Sequence, residues 1–172
     1  PRCEDHRYAA DLLQLRLTCC PRTNWGGPGV GAVGMCFTGG FRPGDGRRAL
    51  GPRPVASQPA LSAPVTSRGR AALGLDRKDL AAITHRTHGG LPVLGLRFSK
   101  DKACPAERFQ TLRRVLGDAF EGIEIDSSPG NTFGIPARAH AVLTVDLVDR
   151  PGHPTRAALD RVHAFLDERL RF

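Results

Sequence analysis

The chain has 172 residues, enough for one domain with a real core, and a net charge of +8 in which lysine occurs only at positions 78, 100 and 102. Basicity on that scale ordinarily points to a polyanion. Here it is arginine accompanied by abundant Ala, Gly and Pro, the residues of GC-rich codons, with neither an aromatic platform nor a helix-turn-helix, so no nucleic-acid partner is expected. No apolar run reaches the ~18 residues of a membrane span and the first residues lack a basic-then-apolar leader pattern, so the expectation is a cytoplasmic protein with no membrane partner.

In chain order, residues 8–18 ("YAADLLQLRLT") have apolar positions compatible with a short helix, broken by the Pro and Gly of "CCPRTNWGGPG". "VGAVGM" reads as a short buried strand ending at Cys36, and residues 41–53 ("FRPGDGRRALGPR") have no period of either kind and read as a loop. The Pro-, Ser- and Ala-rich stretch 54–68 is a connection with room for one strand. The second half is more regular. A helix is expected over 75–90, with Asp76 near its start and Gly89 at its end, then a strand in "LPVLGLRFS". In "CPAERFQTLRRVLG" Pro105 suits a first helical position, Phe109, Leu112 and Leu116 share a face, and Gly117 stops the helix. A strand over 119–127 follows. The last helix, 153–170, aligns Leu159, Val162, Phe165 or Leu166, and Leu170 in one stripe. Strands alternating with helices imply an α/β protein with a mostly parallel sheet covered on both faces.

The cysteines, at 3, 19, 20, 36 and 104, are odd in number and lack CxxC pairing, which argues against a disulfide framework and a zinc site; no metal or cofactor is expected. In "GMCFTGG", Cys36 sits between Gly34 and the pair Gly39–Gly40. A nucleophile on a sharp strand-to-helix turn needs small residues there, because the turn is strained and the helix returns close to the strand. A strand leading into Asp101 follows, and beyond the next strand come His140 and His153. The order Cys, Asp, His is that of nucleophile, acid and base in an α/β-hydrolase. His85, His88 and His163 fall within predicted helices and read as solvated-face residues.

Together, "GMCFTGGF", "VLGLRFSKDKACPAERFQTLRRVLG" and "IEIDSSPGN…AHAVLT…GHPTRAALDRVHAFL" resemble the dienelactone hydrolase family, α/β-hydrolases with a cysteine nucleophile acting on lactones and activated esters. The resemblance covers residues 28–41 and about 54–172. It implies a partial α/β-hydrolase three-layer sandwich, the C-terminal part of such a domain, over 28–172, behind an irregular or short helical segment 1–27. It also implies Cys36 as nucleophile, Asp101 orienting a histidine, the backbone N–H of Phe37 as an oxyanion donor, and a small ester or lactone as substrate. His140 fits the family position best and His153 is the second candidate.

The chain departs from the family in two places. Only 28 residues precede "GVGAVG", with no strand-rich segment among them, so the N-terminal strands and a second oxyanion donor are expected to be lacking, leaving an edge strand beside the elbow. The helix expected after the elbow is replaced by a segment broken at Pro43, Gly44 and Gly46. One base inserted into a GC-rich frame for Phe-Ala-Leu-Ala-Met-Ala-Val-Asp reads Phe-Arg-Pro-Gly-Asp-Gly-Arg-Arg, which is Phe41 to Arg48. Residues 42 to about 53 are therefore read as an out-of-frame segment. The functional expectation is a Cys-Asp-His ester or lactone hydrolase; the alternative is a catalytically inactive, truncated relative.

Overall fold

The computed structural model describes residues 31–36, 53–60, 66–75, 77–88, 90 and 92–170. The expected helix over 8–18, the break after it, the loop and out-of-frame segment before residue 53, the oxyanion donor Phe37, and the end markers Asp76 and Gly89 lie outside them.

Four strands form one parallel sheet in the order β1-β2-β3-β4: β1 Gly31–Met35, β2 Arg53–Ser57, β3 Val93–Phe98 and β4 Phe120–Ile125. The helices are α1 Ser67–Ala71, α2 Arg77–His88, α3 Ala106–Leu116 and α4 Pro154–Leu170. The sequence foresees all of them except α1, which Thr66 caps by accepting the Gly69 N–H at 3.0 Å.

β3 is buried along its whole length, as a strand between two helical layers must be. Its two faces do different work. Leu94, Leu96 and Phe98, with Val55 and Ile125, meet Ala158, Val162 and Phe165 of α4. On the other face Val93 and Phe120 join Phe109, Leu112 and Leu116 of α3 and Ile83 of α2. The glycines of that face, Gly95 and Gly122, are register partners and leave space for Phe109 and Phe120, whose rings meet edge-on with centroids 5.4 Å apart.

Three expectations are adjusted. β1 is not buried, since Val33 is 38% exposed: among the described strands β1 has a neighbour on one side only. Pro105 is the N-cap of α3 rather than its first helical residue, with extended backbone at φ −69° and ψ 156°. The buried stripe of α4 starts from Ala158, with Leu159 only half-buried. Gly117 ends α3 as expected, at φ 54° and ψ −135°, a conformation that favours glycine.

Among the described residues no helix is long and apolar enough to cross a membrane, and no cluster of His, Cys, Asp and Glu could hold a metal ion.

Candidate active site

In a parallel sheet every strand ends at the same edge, and ligand sites collect there because the loops at that edge converge. Cys36 directly follows β1, Asp101 follows β3, and His140 lies in the long connection after β4. Residues at positions 36, 101 and 140 are far apart in sequence, yet the sheet carries them to one edge.

Cys36 is half-buried and adopts φ 52°, which a side chain with a Cβ rarely takes. The carbonyl of Cys36 accepts the Ala60 N–H at 3.0 Å, so the loop after β2 supports this turn. A left-handed residue placed immediately after a strand turns the chain sharply and lifts the side chain out of the sheet, the backbone that an elbow requires.

Asp101 is buried, and both its carboxylate oxygens are engaged. Oδ1 accepts the N–H groups of Ala103 and Cys104 at 2.8 and 3.2 Å, and Oδ2 meets Nδ1 of His140 at 2.7 Å. An ionised carboxylate is only an acceptor, so Nδ1 of His140 is the donor, which leaves Nε2 for a second partner. The same imidazole is in hydrogen-bonding contact with the Cys36 side chain. The Asp101 bond, reinforced by Cys36, holds the imidazolium of His140 to about 9, well above its ordinary 6.5, against the opposing effect of burial.

His153 is placed differently. It is buried at the start of α4, where its carbonyl takes the first helical N–H, from Ala157 at 3.0 Å, and its Nδ1 meets the Thr155 hydroxyl at 2.7 Å. Its ring lies edge-on to Phe133, and burial pushes its pKa down. His153 is thus an N-cap followed by proline at the first helical position, and His140 is the histidine that Asp101 holds. His85, His88 and His163 are exposed on helices, as their positions imply. Cys104 is fully buried, and burial followed by the nearby Asp101 charge pushes its thiol up to about 12, so it behaves as a packed, unreactive side chain.

Residues without a sequence signal hold this arrangement together. Arg108, buried on α3, donates to the carbonyls of Pro59 and Ala103 at 2.7 and 2.8 Å, tying the loop that supports Cys36 to the turn that carries Asp101. Gln58, also buried, lies at the carboxyl end of β2 with φ 35° and bonds to Ser57. Asp146 accepts the backbone N–H groups of His140 and Ala141. Their partners are largely backbone atoms, which no residue pattern displays. Comparison with protein families, curated proteins and solved structures finds no match to this chain.

Proposed function

We propose that the chain is a cysteine-dependent hydrolase of esters or lactones, with an α/β-hydrolase architecture like that of the dienelactone hydrolases its motifs resemble. The observation that carries this reading is the connected series from Asp101 Oδ2 through His140 Nδ1, at 2.7 Å, to the Cys36 side chain on its left-handed turn. Each part matches a chemical requirement: a nucleophile on a sharp turn, a base beside it, and a fixed carboxylate that selects the base's tautomer and stabilises its charged form.

His140 takes the thiol proton, and the Cys36 thiolate attacks the carbonyl carbon of the substrate. The resemblance gives the Phe37 backbone N–H, as the donor that follows the nucleophile in an elbow, the role of meeting the negative charge that develops on the carbonyl oxygen. Collapse of the tetrahedral species breaks the ester C–O bond, and the imidazolium of His140 returns its proton to the leaving alkoxide. Water then attacks the thioester, His140 accepts its proton, and Cys36 leaves with that proton as the carboxylic acid departs.

Incubation with an activated aryl ester should acylate Cys36, seen by intact mass, and give turnover. Cys36→Ala should abolish both, and His140→Ala should lower turnover by ~10²–10⁴-fold. A wild-type chain with neither acylation nor turnover would overturn the proposal and leave the inactive relative.

A further inference from the structure

From residue 126 to residue 153 the chain has neither helix nor strand, so no periodic hydrogen bonding holds His140. Side chains hold this connection by bonding to its backbone. Asn131 closes the first part, donating to the carbonyls of Ser128 and Ile135 and accepting the N–H groups of Phe133 and Ile135. Thr155 secures the last part, its hydroxyl accepting the Val148 N–H at 3.0 Å. Between them, Oδ2 of Asp146 accepts the N–H of His140 at 2.9 Å and that of Ala141 at 2.8 Å, and the Asp146 N–H returns a bond to the Ala141 carbonyl at 3.1 Å.

Building on the hydrolase reading, we propose that Asp146 is a positioning residue, whose carboxylate pins the His140 backbone so that the imidazole spans Asp101 and Cys36. Two consecutive N–H groups converging on one carboxylate oxygen form a charge-assisted clamp. Among the described residues no cation pairs with Asp146, whose Oδ2 takes these two N–H groups. Ala139 and Val142, both buried in the core beneath β3 and β4, anchor the chain on either side of His140, which leaves the orientation of the 140–141 peptide to Asp146. Asp101 has its own support from two N–H groups, so it is the fixed end of the Asp–His bond and His140 the end that can move. A displacement near 1 Å at such a bond costs on the order of 10²-fold in rate.

The test compares Asp146→Ala and Asp146→Asn with wild type, using aryl-ester kinetics and the imidazole titration of His140 followed by NMR. The titratable groups that act on this imidazole are Asp101 from the turn after β3 and Cys36 from the end of β1, whereas Asp146 meets the backbone N–H groups of residues 140 and 141. Asp146→Ala should lower kcat by ~10²-fold with KM little changed, and its His140 midpoint should fall from about 9 toward 6.5. Asp146→Asn, whose amide oxygen accepts the same two N–H groups, should restore most of both; Asp146→Ser serves in place of the alanine variant should that one not fold. An unchanged His140 midpoint in the truncated variant, or an asparagine variant no better than alanine, overturns the positioning role. The titration needs no turnover, so a wild-type chain that hydrolyses no ester overturns the hydrolase reading while the midpoint decides Asp146 separately.

Discussion

The proton on His140 sits between a buried carboxylate and a half-buried thiol, and its affinity there sets how the site responds to pH. Because the folded imidazole is raised from 6.5 to about 9, its contribution to stability is fully present below about 6.5 and is lost as pH rises through about 9. Unfolding midpoints in urea should therefore decline from neutral pH to pH 10, and His140→Gln should flatten that decline. In the proposed hydrolysis the imidazolium protonates the leaving alkoxide, and on that proposal activity should fall over the same upper range. His153 has no such link. Its side chain caps α4, so His153→Asn, which keeps a cap acceptor, should leave the rate of Cys36 alkylation and the upper limb of the pH–rate profile where they were. Both histidines are visible in the sequence as candidates. What separates them is a 2.7 Å contact with a residue 39 positions earlier.

At the scale of elements, the sequence is most legible where a periodic pattern meets a chemical stop. α3 is the clearest case: Phe109, Leu112 and Leu116 mark its buried face, and Gly117 ends it. Glu107 in its first turn and Arg113 and Arg114 in its last complement the helix dipole. The glycines of the strands below it are not readable in the same way. A Cβ at Gly95 would lie 2.6 Å from the Phe120 ring and 3.1 Å from that of Phe109, and both rings are buried with no room to retreat. Gly95→Ala should therefore destabilise the fold by about 1–3 kcal/mol, read as a lower urea midpoint at unchanged m value. A loss below ~0.5 kcal/mol would show that the two rings repack freely. α1 has no sequence signal because five residues carry no helical period; it is tied to α3 by the paired bonds from Arg70 to Glu107 and by those from Arg108 to the Gly69 and Ala72 carbonyls.

At the scale of the described structure, helices on both faces of the sheet and the connections at its carboxyl edge have to agree before Cys36, Asp101 and His140 meet. Arg108 is where several of them join: beyond Pro59 and Ala103 its guanidinium donates to the carbonyls of Ala72 and Gly69, so one buried side chain connects α3, the end of α1, the loop after β2 and the Asp101 turn. Arg108→Met keeps most of the volume but leaves those carbonyls, one buried and three half-buried, without their donor. It should lower stability by about 3 kcal/mol or more and slow Cys36 alkylation together with ester turnover, since both sides of the site lose their common tie. Arg108→Lys, a single ammonium unable to span four carbonyls, should recover only part of the loss. Full stability in the methionine variant would show that the loops hold their places independently.

The sequence by itself determined the α/β alternation, the positions of the regular elements in the second half, the face that α3 buries, Val162 and Phe165 on that of α4, and the order Cys36, Asp101, His140 along the chain. These follow from local periodicity, from glycine and proline punctuation, and from motif spacing, all of which act over a few residues. Only the tertiary structure decided that Val33 of β1 is exposed, that His140 rather than His153 meets Asp101, and that Asp146 and Arg108 bond to the backbone around these residues. Those outcomes depend on contacts between residues far apart in sequence, and on backbone N–H and carbonyl groups that every residue carries and no sequence pattern distinguishes.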